Sequence, residues 1–268
     1  MIRKLSPLLL LIGLFSCQSD PYQVDVDNVK LSVQYNNLDS AFRYAHDNQR
    51  LRQIKALIQT DFDLSQFSFP YALQVSTQTD TAFLNGLKRL YAHPFNIQVS
   101  QALDKQEKWR LQTFREIEAG LKRLHFLAPK APIAKHIYFS YTQFAASAYA
   151  SKKGIVLGQE RYLGATHPVI SALPPQQFYE WIKEGMAPEY ATSDALLSWL
   201  STNMLKTTDE NLASEMIRWG KLLALLEIIC PEVDMHRHLR YSEQDFQWAL
   251  KAERGFWEYL VDQQLLFK

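Results

Sequence analysis

Apolar residues recur every three or four positions along most of this chain, with polar residues between them. That spacing predicts a mainly helical protein. Leu38 to Ile58 reads as one or two helices, with Leu51, Ile54, Leu57 and Ile58 at helical spacing. Thr81 to Ala92 gives another, stopped by Pro94. Ser100 to Phe126 reads as a long helical stretch. Leu111, Phe114, Leu121 and Leu124 share a face, Lys105, Glu107, Glu116 and Lys122 occupy others, and Pro129 and Pro132 end it. Pro174 to Glu184 and Ser193 to Leu205 are shorter helical segments. From Asp209 to Ile229 the stripe Leu212, Met216, Trp219, Leu223, Leu226 and Ile229 is sustained until Pro231. The last helix starts at Ser242, with Asp245 as its capping partner and Phe246, Leu250, Trp257 and Leu260 as its buried stripe.

The period changes in two places. Val29, Leu31, Val33 and Tyr35 alternate with polar residues, which predicts a strand. Ile137-Tyr138-Phe139 and Gly154-Ile155-Val156-Leu157-Gly158 read as two short strands of a hairpin, separated by the small residues of Ala145 to Ser151. The expected class is therefore α+β, mostly helical, with a small central β-sheet. No internal repeat, low-complexity tract or flexible linker divides residues 29–268, which read as a single domain.

The N-terminus follows a different logic. Arg3 and Lys4 precede an apolar run from Leu5 to Phe15, and Leu14-Phe15-Ser16-Cys17 closes it. A basic start, a short apolar stretch, a small residue and then cysteine is the layout of a bacterial lipoprotein signal. The run is too short to span a bilayer, which takes about 20 apolar residues. Residues 1–16 are read as a removed signal, Cys17 as the lipidated N-terminus and residues 17–28 as a polar, acidic tether; the alternative is an ordinary secretory signal that happens to contain a cysteine. The expected location is the cell envelope, on a membrane surface facing the periplasm. Loss of Arg3 and Lys4 leaves acidic residues in excess by one, a near-neutral balance with no general attraction for nucleic acid. With 47% hydrophobic residues the chain can bury a sizeable core without disulfides.

Candidate chemistry is sparse. The chain has no H-E-x-x-H, no G-x-S-x-G, no P-loop and no clustered cysteines. Of its seven histidines only His236 and His238 lie close together, where an extended segment would let them share a metal; as a solvated basic loop they would bind nothing. Glu180 and Glu184 sit one helical turn apart and could act as acid and base, or form a solvated face with Lys183. Cys230, before Pro231, reads as a buried and inert thiol. Trp181, Trp199, Trp219, Trp248 and Trp257 crowd the C-terminal half, and Trp219 and Trp257 are expected in the core. No cofactor and no catalytic residue is assigned.

The run Asn211-Leu212-Ala213-Ser214-Glu215-Met216-Ile217-Arg218-Trp219-Gly220-Lys221-Leu222-Leu223 resembles a signature helix of the gliding motility lipoprotein GldB family of the Bacteroidetes. Leu226 to Pro231, Tyr241-Ser242-Glu243-Gln244, Trp248, Glu253, Trp257 and Gln264-Leu265-Leu266-Phe267 are similar to the family's pattern C-terminal to that helix. Tyr162-Leu163-Gly164 and Met186-Ala187-Pro188-Glu189-Tyr190 match upstream. The resemblance implies a non-enzymatic envelope lipoprotein that supports gliding motility and the associated secretion machinery, with other envelope proteins as partners. It also implies a further segment beyond Lys268 and a degenerate, gluzincin-like zinc-peptidase scaffold. Ile217-Arg218-Trp219-Gly220-Lys221 lacks the acidic ligand such a scaffold would carry, and Leu196 to Ser201 lacks the histidines. Two other readings stand beside it: a membrane-anchored hydrolase using Glu180, Glu184, His236 or His238, and a small-ligand binder built on the tryptophans.

Overall fold

The computed structural model describes residue 22 and residues 24–44, 47–206 and 211–267. Cys17, His46 and the expected helix start at Asp209 lie outside the described residues.

Four strands make one sheet in the order β1-β2-β4-β3: β1 (Gln34–Asn37), β2 (His136–Ser140), β3 (Ala148–Ala150) and β4 (Gly154–Gly158). β1, β2 and β4 run parallel, and β3 is antiparallel to β4. The apolar runs of β2 and β4 are buried on both faces, as central parallel strands are. Ile137, Phe139, Ile155 and Leu157 face one side, and Tyr138 and Val156 the other. The sheet thus separates two apolar clusters.

On the Tyr138 side lie the N-terminal helices α1 (Leu38–Tyr44), α2 (Asp47–Thr60), α3 (Phe62–Gln66), α4 (Asp80–Ala92) and α5 (Pro94–Asp104), with a wide helical turn at Phe67–Ala72. Phe42, Leu57, Phe69, Phe83, Leu87 and Leu103 fill this cluster. On the Ile137 side pack α6 (Glu107–Leu127), α9 (Ala191–Asn203) and α10 (Leu212–Ile229). Between β4 and α9 come a 3-10 turn (Gln159–Tyr162), α7 (Pro168–Ser171), α8 (Glu180–Glu184) and a second 3-10 turn (Pro188–Tyr190). After α10 the chain forms α11 (Met235–His238) and α12 (Glu243–Asp262). Among the described residues no helix is long and apolar enough to cross a membrane. The α+β class, mostly helical around a small central sheet, is as expected.

Several boundaries depart from the sequence reading. The strand expected over Val29 to Tyr35 begins only at Gln34, whose N–H donates to Lys135 O at 2.9 Å. Leu31 and Val33 do lean on the core, so the alternation reports docking rather than pairing. The expected hairpin of Ile137–Phe139 with Gly154–Gly158 is a parallel pair instead. The hairpin partner of β4 is β3, hidden in the small-residue stretch, and Ser151 Oγ accepts from Lys153 N and Gly154 N to close the turn. Ala148 and Ala150 pack against the α9-side cluster. The long Ser100–Phe126 helix breaks after Asp104, where the buried Arg110 guanidinium donates to Leu103 O (2.8 Å) at the end of α5. Pro94 does not merely stop α4. It holds His93 extended and starts α5 at its first turn, where a missing N–H costs nothing. Pro174 to Glu184 is helical only from Glu180.

The larger correction concerns α12. Its Ser242 cap is as expected, with Asp245 N donating to Ser242 Oγ at 3.1 Å. Of its apolar stripe, however, only Leu260 is buried; Leu250 is 55% and Trp257 40% exposed. Among the described residues those positions remain largely open to solvent. Leu111 on α6 is also exposed, because that helix turns Thr113, Ile117, Gly120, Leu121 and Leu124 inward. A Cβ on Gly120 would stand 2.6 Å from Leu196 Cδ1, so α6 and α9 approach closely there. Trp199 is wholly buried and donates its Nε1–H to Pro132 O at 3.0 Å. Trp199→Ala should therefore cost about 3–5 kcal/mol in urea unfolding, whereas Trp257→Ala should stay near the ~0.5 kcal/mol typical of surface sites.

Candidate functional site

A cluster of polar groups surrounds Asp194, which shares a cleft with the edge strand β3. The turn Pro188–Tyr190 leads directly into α9 and places Asp194 in its first turn. Asp194 accepts from Tyr162 O–H at 2.9 Å and from Arg240 Nη2 at 2.6 and 2.7 Å. Arg240 has a left-handed backbone (φ 58°), and its guanidinium covers the Tyr190 ring at 4.8 Å. Burial pushes the Asp194 carboxyl upward while Arg240 opposes that shift. Next to it on α9, Ser193 Oγ lies 2.8 Å from His238 Nδ1, both residues buried. Burial lowers the His238 pKa and favours the neutral ring.

Of these residues, Asp194 and Arg240 border a cleft of about 420 Å³. Ser147 to Ala150 form one wall, Leu197, Ser198, Ser201 and Thr202 of α9 another, with Trp219 and Arg240 at the rim. The expectation that Trp219 lies in the core fails: it is 42% exposed and lines this cleft, because α10 buries Leu222, Leu226 and Ile229 instead.

A buried carboxylate shapes the loop that precedes the cleft. Glu160 is fully buried just past β4. Its Oε1 accepts from Thr142 N (3.0 Å), Thr142 Oγ1 (2.5 Å) and Phe144 N (2.8 Å). Gln143 and Phe144 adopt left-handed φ of 51° and 63°, the bend that wraps these donors around the acid. A Cβ on Gly158 would meet Ala146 O at 2.2 Å, so glycine is required where the loop crosses the strand. Burial pushes the Glu160 pKa up to about 7, against the lowering effect of its hydrogen bonds.

The sequence candidates do not assemble into a site. Glu180 is exposed and pairs with Lys183 at 3.3 Å, and Glu184 is also exposed. His236 and His238 lie on the helix α11 rather than an extended segment, and they diverge: His236 Nδ1 reaches Glu243 at 3.2 Å while His238 turns to Ser193. Cys230 is buried, its thiol pushed up to about 12 by burial, in keeping with an inert role. Trp181 and Trp248 are exposed. Among the described residues no three His, Cys, Asp or Glu side chains converge to hold a metal ion. Sequence reading passed over Asp194, Arg240 and Glu160. The first two lie far apart in the chain, but Glu160 carried a signal, as the first acid after a wholly apolar strand.

The Glu160 carboxyl predicts a pH effect on stability. Its folded pKa, about 7, lies above the ordinary 4.5, so the folded state holds the proton longer. Its contribution is intact below pH 4.5 and is lost as pH rises toward 7, by roughly 3 kcal/mol. Glu160→Gln should gain stability relative to the parent by about that amount between pH 4.5 and 7.5, read from urea midpoints at both pH values.

Residues 19–268 match the profile of a family described as gliding motility protein GldB. No curated protein matches the chain, and no solved structure does. The match begins just past Cys17, covers every element described above and extends to the last residue, and on that ground the chain belongs to the gliding motility protein GldB family, a lipoprotein family.

Proposed function

We propose that the protein is a non-enzymatic lipoprotein of the cell envelope, held to a membrane by acyl chains on Cys17 and facing the periplasm. It supports gliding motility and the associated secretion machinery by holding or positioning other envelope proteins. The observation that carries this reading is the family match from residue 19 onward, set directly after a basic, apolar, cysteine-ended signal. Each buried methylene of an acyl chain contributes about 0.8 kcal/mol, so two or more chains give stable attachment. Residues 17–28 act as the tether. Residues 29–268 act as one domain, a reading supported by the single sheet that both apolar clusters share.

The finer reading of a peptidase scaffold without its metal draws on α9 and α10. The segments Leu196 to Ser201 and Ile217 to Lys221 lie on helices that pack together. Where they meet, Arg218 donates to Ser201 Oγ (3.1 Å) and to Glu215 Oε2 (3.0 Å). A guanidinium has no lone pair to give a zinc ion and repels one electrostatically.

Cys17→Ser should move the protein from the membrane pellet to the soluble fraction with an unchanged melting temperature, and should abolish colony spreading in a gliding strain. A membrane-bound Cys17→Ser protein would refute the anchor. Elemental analysis of the purified chain should find far less than one zinc per molecule, and a stoichiometric metal would refute the non-enzymatic reading.

A further inference from the structure

We propose that the cleft between β3 and α9 takes up an extended segment of a partner protein, which joins the sheet as a fifth strand along the free edge of β3. The backbone geometry points to this occupant. Gly158 N donates to Ser147 O at 2.8 Å and Ser151 N to Gly154 O at 2.9 Å, in register with Tyr149 opposite Val156. In an antiparallel ladder, residues 147 and 149 and the N–H of Ser151 therefore face β4, Ser151 O turns off the ladder to accept from Asn203 Nδ2 at 2.9 Å, and Ala148 and Ala150 turn their backbone groups away. Among the described residues nothing bonds the outward N–H and C=O groups of Ala148 and Ala150. They lie on the wall of the 420 Å³ cleft, a volume within the usual range for binding sites.

The edge is held ready on its other sides. The Ala148 and Ala150 side chains rest on the α9-side cluster. Tyr149 points to the opposite face, where its hydroxyl is 2.6 Å from Ser68 Oγ and its ring centroid is 4.0 Å from that of Phe67. Exposed edge strands are commonly blunted by short length, proline, lysine or a bulge; Ala148-Tyr149-Ala150 is short but carries none of the other three. Two outward residues offer two donors and two acceptors about 7 Å apart, a pattern that an extended backbone complements. Ser198, Ser201, Thr202 and the Trp219 ring face the same space and would receive the side chains of the incoming strand.

Random peptides displayed on phage can be selected against the full chain in detergent solution and the winners synthesised. In the free protein the amide hydrogens of Ala148 and Ala150 should exchange rapidly and that of Tyr149 slowly. Bound peptide should slow the two alanines at least about tenfold and leave Tyr149 unchanged. N-methylation along the peptide should weaken binding at every second position. Ala150→Pro, which deletes an outward N–H and no ladder bond, should weaken binding by about tenfold or more. The proposal is overturned if no peptide is selected, if N-methylation acts without alternation, or if the alanine amides are already slow in the free chain because its own residues cover the edge. None of these readouts involves lipid or motility, so such a failure would leave the reading of Cys17 standing.

Discussion

The central strands β2 and β4 are buried on both faces, and most of the architecture follows from that constraint. Ile155, Val156 and Leu157 point to alternate sides and all are fully buried, so each face of the sheet needs its own layer of helices. A parallel connection cannot be a tight turn. The chain between β1 and β2 supplies α1 to α6, five of which cover one face while α6 crosses to the other. The helices that complete the second face, α9 and α10, come after β4 in sequence. The first charged residue past β4 is Glu160, which the packing buries completely. Its carboxylate draws in the amides of Thr142 and Phe144, and the left-handed bend at Gln143 and Phe144 is a consequence of that demand.

What could be read from the sequence is what local chemistry decides. The helices around Ile54, Leu121 and Leu226, the two apolar strands and the Ser242 cap were all legible, because period and cap residues sit within a few positions of each other. Pairing direction was not. Ile137-Tyr138-Phe139 and Ile155-Val156-Leu157 are compatible with either orientation, and only the Ser151 turn assigns the hairpin to β3. At the break after Asp104, Arg110 bonds Leu103 O and reaches Gln159 Oε1 at 3.1 Å across the fold, a contact no periodicity encodes. The tryptophans make the same point. Trp199 and Trp219 both sit on apolar stripes, but Trp199 is wholly buried while Trp219 is 42% exposed. The reading of Cys17 has a different basis: a processing signal is a linear motif and does not wait for the fold. The Asp194–Arg240 pair was invisible because it exists only once α11 has docked beside α9.

Helix α12 shows how far a helix can go without a core. It buries Leu260 and little else. The Ser242 cap, the Gln247–Glu243 bond at 3.0 Å and the Arg254–Glu258 pair at 2.8 Å support it locally. Each such i,i+4 pair stabilises a helix by only about 0.2–0.5 kcal/mol. His236 and Glu243 tie its start to α11, and Ala213 N bonds Leu266 O just beyond its end. Elements with few buried apolar contacts open first, so α12 belongs to the least stable part of the fold while α6 and α9 belong to the most stable.

A lipid anchor and a short open strand edge make sense together. Two residues with outward backbone groups can add only four hydrogen bonds, and each contributes a net of about 1 kcal/mol once water is displaced. Alone, that is too little for a tight complex in dilute solution. Attachment through Cys17 would change the arithmetic, because a chain held to a membrane meets other membrane-held proteins at an effective concentration set by its tether. Under that condition a weak and readily reversed contact is sufficient to place a partner. It also suits a cleft whose wall is a rigid strand, since an edge fixed by Tyr149 on one face and α9 on the other needs no further ordering when a partner strand arrives.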